Sequence, residues 1–415
     1  MAGYAAVLAV AALVTYGATF GVRTAAIRFG WVVMPDARKV HDKPMPTCGG
    51  AAMYVAFLVA MAVATQIHQF REIFHTGSSE PLGVVLAATV IFGVGFLDDL
   101  RDVSAPAKLA GMVLASSILY FLGVTMFFFR IPFAGTVVLS TSILPLLTAL
   151  WVAGIANAVN FIDGLDGLAA GIVAIAAGAF FIYGDRLFKA GLLEPGTIGP
   201  LLAVIALGVC LGVLPHNFHP ASIMMGDAGA LFLGLLMACS TMVVGGRTAD
   251  QFSGQTYFFY APIFIPFFIL GVPILDTAFA IVRRAARRAG VSEADKAHLH
   301  HRLIELGHGQ RRSVVILWAW TAILSGFALY PTFTHKGNAV IPFGMAALGV
   351  ALYTLFHPGV RHRADVDEES AEPASVAGAL ADVVSLEERA PLAVASPDAW
   401  RSRRRASLRQ RTPPQ

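Results

Sequence analysis

Charge is scarce in this chain. Only 13% of its 415 residues are Asp, Glu, Lys or Arg, against about 25% in soluble domains. With 56% hydrophobic residues and a mean hydropathy of +0.68, that scarcity excludes a soluble α/β domain. Cysteine is scarce as well. Cys48, Cys210 and Cys239 have no metal-ligand spacing, so free thiols are expected and a disulfide framework is not. The two-residue alternation of an outer-membrane barrel is missing. So is any internal repeat of the kind that marks an inverted-repeat transporter. No span or loop interleaves basic and aromatic residues, so nucleic acid is not an expected partner. The first apolar stretch, Tyr4 to Val22, lacks a basic leader and a small-residue cleavage site. It is expected to be a retained helix rather than a signal peptide.

What is present is a series of long apolar runs. Eleven spans are expected, near 3–23, 50–67, 81–97, 108–125, 142–159, 168–184, 198–214, 228–245, 257–280, 313–331 and 339–357. The fold class is therefore an all-α polytopic integral membrane protein of about 11 transmembrane helices. The stretch T-M-F-F-F-R-I-P-F-A-G-T-V-V-L-S after the fourth span is suited to a short interfacial hairpin. Basic residues crowd alternate loops. Arg23, Arg28, Arg38, Lys39 and Lys43 follow the first span, Arg101 and Lys108 the third, and Arg283, Arg284, Arg287 and Arg288 the ninth. Cytoplasmic loops carry such an excess, so the amino terminus is expected outside and the carboxyl terminus inside. Residues 1–360 then form the membrane domain. Residues 361–415, rich in Ala, Ser, Pro and acid, are expected to be a disordered cytoplasmic tail.

Against this apolar background six carboxylates stand out: Asp98, Asp99, Asp163, Asp166, Asp227 and Asp276. A charge at the centre of a membrane helix costs roughly 2.5–3.5 kcal/mol on insertion scales. The topology that follows from the basic residues alone sets the first five at cytoplasmic helix mouths. Asp276 lies deeper, and an ion pair with a basic residue such as one from 283–288 is expected. Asp98 and Asp99 are adjacent. Neighbours on a helix point about 100° apart, so one is free to take a metal or substrate group while the other holds a helix start or a lysine. Paired acids also raise the pKa of at least one, which suits a general base. In N-A-V-N-F-I-D-G-L-D-G-L, Asn160, Asp163 and Asp166 recur every third residue and would share one helical ridge. Gly164 and Gly167 permit close backbone approach, tight helix packing or a broken helix. Asp163 alternatively caps the following span.

Asp227, in M-M-G-D-A-G, starts the eighth span, where a helix amino terminus favours an anion. A carboxylate is also a hard ligand for Mg²⁺, which needs only one or two of them when water and phosphates complete its octahedron. Asn217 either orients a sugar or phosphate or caps locally. His298, His300, His301 and Arg302 fall within five positions. Zinc is the rival reading of three histidines. The arginine and the oxygen-rich setting favour a diphosphate held by charge-assisted hydrogen bonds.

These stretches together resemble the polyprenyl-phosphate N-acetylhexosamine-1-phosphate transferase family, which includes MraY, WecA and TagO. The matching motifs, in order, are D-A-R-K-V-H-D-K-P-M-P-T-C-G-G at 36–50, G-F-L-D-D-L, N-A-V-N-F-I-D-G-L-D-G-L-A-A-G, M-G-D-A-G and H-L-H-H-R-L. The resemblance covers roughly residues 15–355 and implies ten or eleven helices around a cytoplasmic cleft. It implies transfer of a phospho-sugar from a UDP-N-acetylhexosamine to undecaprenyl phosphate with release of UMP, dependent on Mg²⁺ with Mn²⁺ as a substitute. The carried-over roles make Asp227 the principal metal ligand with Asp99 beside it. Asp98 becomes the base or positioner at the lipid phosphate. Lys43, Lys108, Asn160, Asp163, Asp166 and Asn217 line the substrate pocket, and His298, His300, His301 and Arg302 hold the diphosphate or sugar. The H-L-H-H-R-L form and the eleventh span resemble the WecA and TagO branch and favour UDP-N-acetylglucosamine. A UDP-MurNAc-pentapeptide donor is the alternative, and an ion-coupled transporter the reading from another class. Thr47-Cys48 departs from the arginine or bulky apolar residue of many relatives, so that loop carries no sugar assignment. The implied setting is the bacterial inner membrane with a cytoplasmic active site, and a homodimer is the assembly allowed for.

Overall fold

A computed structural model describes residues 1–33, 44–75, 78–131, 135–245, 270–272, 274–278, 302–304, 306–334 and 340–356. Its helices are α1 (Ala2–Phe29), α2 (Gly50–Gln66), α3 (Arg71–His75), α4 (Glu80–Arg101), α5 (Ala105–Phe121) and α6 (Leu144–Ile162). They continue as α7 (Leu168–Lys189), α8 (Gly199–Asn217), α9 (Gly226–Gly245), α10 (Gln310–Thr334) and α11 (Val340–Phe356). Two antiparallel ribbons interrupt them. Strands β1 (Val32–Val33) and β2 (Met45–Pro46) pair Val32 with Pro46. Strands β3 (Phe128–Ile131) and β4 (Gly135–Val138) form the hairpin expected after the fourth span.

Among the described residues, seven helices are long and apolar enough to cross a membrane, or eight if α2 and the segment His68–His75 are one span broken by a 92° bend. Helix α4, with 22 residues, is about 33 Å long and matches a hydrocarbon core of about 30 Å. Ten of the eleven expected spans fall on these helices within a few residues. The ninth, 257–280, lies mostly outside the described residues, as do the disordered tail expected beyond 360 and the basic run 283–288. Asp276 is buried in the helical segment 274–278.

Local sequence explains the helix ends. Proline occupies the first turn of α4, α5, α6 and α8, where its missing N–H has no intrahelical partner to lose. Gly30 ends α1 in a left-handed conformation (φ 74°). Hydroxyls inside the spans bond back one turn, as Thr15 does to the Ala11 carbonyl and Thr148 to that of Leu144. That keeps a polar group satisfied where no water reaches.

Helix α9 is the axis of the bundle. Every residue from Ala228 to Gly245 is buried, and α2, α4, α6 and α8 pack around it. Helix α1 lies outside, on α8 and α2, and α10 lies on α7. Small residues set these distances. A Cβ on Gly50 would lie 2.2 Å from the Gly229 nitrogen, and one on Gly95 2.6 Å from the Ala228 Cα. A Cβ on Gly212 would lie 2.3 Å from the Ala12 carbonyl oxygen of α1. Gly212→Leu should therefore lower stability by about 1–3 kcal/mol through overpacking, read by thermal unfolding in detergent. Gly17→Ala, with nothing within 4 Å of the added carbon, is the control and should not destabilise.

Candidate active site

Antiparallel neighbours bring opposite ends together. The carboxyl ends of α4, α6 and α8 meet the amino ends of α5, α7 and α9, and every described carboxylate of the expected site lies there. Only helix ends leave backbone groups unpaired, so a polar site in an apolar bundle has its natural place at this level.

Asp99 joins α4 to α9. Its Oδ1 accepts the Asp227 N–H at 2.8 Å and its Oδ2 the Ala228 N–H at 3.2 Å. It thus satisfies two of the unpaired amides at the start of the buried axis helix. Gly226, at φ 70°, leaves the room for this contact, because a Cβ there would lie 2.4 Å from the Asp99 Oδ2. The adjacent Asp98 turns elsewhere. Its Oδ1 accepts the Val103 N–H at 2.6 Å, and its Oδ2 pairs with Lys108 at the amino end of α5. Of the two roles expected to divide between the adjacent acids, both take the structural one, Asp99 at a helix start and Asp98 at a lysine. Lys108 Nζ also donates to Asp227 Oδ2 at 2.7 Å. It therefore bridges two carboxylates, and the Asn160 side chain lies beside the same Asp227.

The ridge expected through Asn160, Asp163 and Asp166 stops early. Helix α6 ends at Ile162, and Asp163 is its carboxyl cap, with its N–H bonded to the Asn160 carbonyl. Gly167 is left-handed (φ 76°) and starts α7, so this is the broken-helix alternative. Asp163 is half-buried in the turn. Desolvation pushes its carboxyl well above the usual range, and the charges of Asp227, Asp99 and Asp166 push the same way.

Asp166 turns to the α8–α9 loop. Its Oδ2 meets His219 Nδ1 at 2.8 Å and accepts the Ala221 N–H at 3.1 Å. Asn217 is buried and links the same loops, accepting the Gly167 N–H at 3.1 Å and donating to the Ile223 carbonyl at 3.1 Å. That is the capping geometry of its two expected roles. Arg302 is exposed. Lys43, His298, His300 and His301 lie outside the described residues.

His219 and Arg311 were not singled out from the sequence. Arg311 Nε donates to the His219 carbonyl at 3.0 Å. The available signal was P-H-N-F-H-P, a histidine at the polar end of a span. Cys48 is buried behind Asp99, in the loop whose Gly49 and Gly50 amides donate to the Met224 and Met225 carbonyls. Burial, then the Asp99 charge, pushes its thiol up to about 12. All three cysteines are free and buried.

Lys108 thus pairs with two carboxylates, those of Asp98 and Asp227, while Asp99 and Asp163 lie close enough to Asp227 to feel its charge, so that among the described residues acids outnumber the ammonium between them. A divalent cation relieves that imbalance, so the residues fit one. Among the described residues no three His, Cys, Asp or Glu side chains form a complete metal cage. An ion that draws most of its ligands from water and phosphates does not need one.

The comparisons with known proteins agree. Residues 81–245 match the model of glycosyl transferase family 4. A decaprenyl-phosphate N-acetylglucosaminephosphotransferase of Mycolicibacterium smegmatis is 38% identical over 86% of this chain and 89% of its own. A probable undecaprenyl-phosphate N-acetylglucosaminyl 1-phosphate transferase of Bacillus subtilis is 36% identical over 72% of this chain and 76% of its own. A phospho-N-acetylmuramoyl-pentapeptide-transferase of Desulforudis audaxviator is 32% identical over 73% and 90%. Fold and site together define a membrane-embedded transferase of sugar phosphates. The chain belongs to the polyprenyl-phosphate N-acetylhexosamine-1-phosphate transferase family, nearer its WecA-like branch, a family expected to depend on a divalent cation.

Asp99→Ala should leave two buried amides without acceptors and cost about 1–3 kcal/mol. Asp99→Asn, which keeps one carbonyl acceptor, should cost less. Equal denaturation midpoints for wild type and Asp99→Ala would refute this strut between α4 and α9.

Proposed function

We propose that this protein transfers N-acetylglucosamine 1-phosphate from UDP-N-acetylglucosamine to undecaprenyl phosphate and releases UMP, starting a lipid-linked cell-envelope glycan. One observation carries the reading: Asp227, Asp98, Lys108 and Asn160 meet at one end of an apolar bundle, where a lipid headgroup and a soluble nucleotide can both arrive. The donor follows the higher-identity relatives, whose names carry N-acetylglucosamine. The muramoyl-pentapeptide relatives are less similar. A transporter would place its acids mid-span with access from both sides, whereas these crowd one end.

An oxygen of the lipid phosphate attacks the sugar-linked β-phosphorus in line. The new P–O bond forms as the bond to UMP breaks. The lipid phosphate is already anionic near neutral pH, so the barrier lies mainly in bringing anions together. Lys108 lowers it by offering the acceptor an ammonium. Asp98 holds that ammonium in place or takes the last phosphate proton. Asp227 and Asp99 would hold Mg²⁺, or Mn²⁺ in its stead, which when bound would supply a Lewis acid for the diphosphate. The two amides bonded to Asp99 take two of about four lone-pair positions on its carboxylate. Lys43, Asn160, Asp163, Asp166 and Asn217 shape the nucleotide pocket, and His298, His300, His301 and Arg302 grip the diphosphate or sugar. The same reading sets about eleven spans in a bacterial inner membrane, amino terminus outside and site cytoplasmic, with residues 361–415 as a tail.

Membranes supplied with radiolabelled UDP-sugars, Mg²⁺ and either undecaprenyl or decaprenyl phosphate should yield UMP and labelled lipid from UDP-N-acetylglucosamine. Labelling only from the muramoyl-pentapeptide donor would overturn the assignment. Asp227→Ala should abolish Mg²⁺-dependent turnover with folding intact. Asp98→Asn should lower kcat more than it weakens donor binding, and the opposite split would make Asp98 a binding residue.

A further inference from the structure

At the end of the bundle opposite the carboxylates, a cavity of about 250 Å³ lies among the start of α1, α3, the end of α7 and the start of α8. Its polar wall carries Glu72, Asp185, Glu194 and Lys189, and Lys189 Nζ pairs with Asp185 Oδ2 at 2.6 Å. Its aromatic wall is built by Tyr4, which meets Phe70 and Phe181 edge-on, each at 4.9 Å between ring centroids. A second cavity, of about 290 Å³, shares Met1, Tyr4 and Phe181 with the first. It extends past Ala5, Leu8, Val204 and Leu207 on α1 and α8, all four apolar. The two cavities adjoin at these shared residues and make up an amphipathic space, a mouth carrying both signs of charge beside a greasy groove along the spans.

We propose that this space binds a zwitterionic phospholipid with a primary-amine headgroup of the ethanolamine type. One acyl chain lies in the apolar extension and the headgroup in the mouth. Three carboxylates against Lys189 disfavour an anionic headgroup. A primary ammonium brings three N–H donors that carboxylates accept as charge-assisted hydrogen bonds, and aromatic faces add cation–π attraction. A choline headgroup keeps the charge but has no N–H to donate. The lipid phosphate needs a cation, and Lys189 at the rim supplies it. An ordinary annular lipid requires none of these groups. The site is remote from the transferase centre and does not depend on the activity proposed for it.

The test uses the full chain, purified, delipidated and reloaded from bilayer nanodiscs of ethanolamine, choline and glycerol phospholipids with identical acyl chains. Native mass spectrometry then counts the lipid retained. The ethanolamine lipid should be retained about tenfold better than either other, since charged hydrogen bonds of ordinary strength give at least that ratio. The double variant Glu72→Gln/Glu194→Gln should remove the preference. Lys189→Gln, at an exposed position where folding is not at risk, should weaken retention of the ethanolamine lipid. Equal retention of the three lipids by the wild type, or an unchanged preference in both variants, would overturn the proposal and leave annular lipid only.

Discussion

A helix buried along its whole length must still satisfy the amides at its first turn, and no other constraint shapes this protein so strongly. Helix α9 runs through the centre of the bundle, and water cannot stand in for acceptors there at low cost. Asp99 supplies them from α4. The glycines at 50, 95 and 226 let the partner backbones come near enough for this to work. Once α9 is fixed, Asp227 stands in its first turn, directed at Lys108 and Asn160. The group that the proposed chemistry needs most is therefore held by the packing of the core.

The remaining polar groups follow from alternation. Each span reverses the chain, so helix ends of opposite polarity meet at one level, and side chains there can pair without crossing hydrocarbon. Lys108 against Asp98 and Asp227, and His219 against Asp166, are two such pairs. Among the described residues acids crowd together around Asp163, whose carboxyl is pushed up by burial and by three neighbouring acids. This is the electrostatic condition in which a polyvalent cation is taken up.

Much of this was legible in the residues. Span positions follow from apolar run lengths, and ten of eleven fall on helices. Asp227 at a helix start and the different directions taken by Asp98 and Asp99 follow from helix geometry. The ridge through Asp166 failed because period-three spacing holds only while the helix lasts, and Gly167 ends that continuity with a left-handed residue. His219 and Arg311 were missed for a different reason. They reach Asp166 and its loop from 53 residues away and beyond, and no local period encodes such pairing. The close contacts of α9 with Gly50 and Gly95 were equally silent, because a glycine in an apolar run reads the same whether it faces lipid or a neighbouring backbone.

Those glycine contacts have a mechanical consequence. Where two backbones touch with no side chains between them, no rotamer can yield under load, and the floor of the site is its stiffest part. Beside it run the loops 44–49 and 218–225, tied to each other by the Gly49 N–H on the Met224 carbonyl and the Met224 N–H on the Pro46 carbonyl. Asp227 therefore stands on a base that cannot yield, and whatever enters the site must fit itself to that carboxylate rather than the reverse.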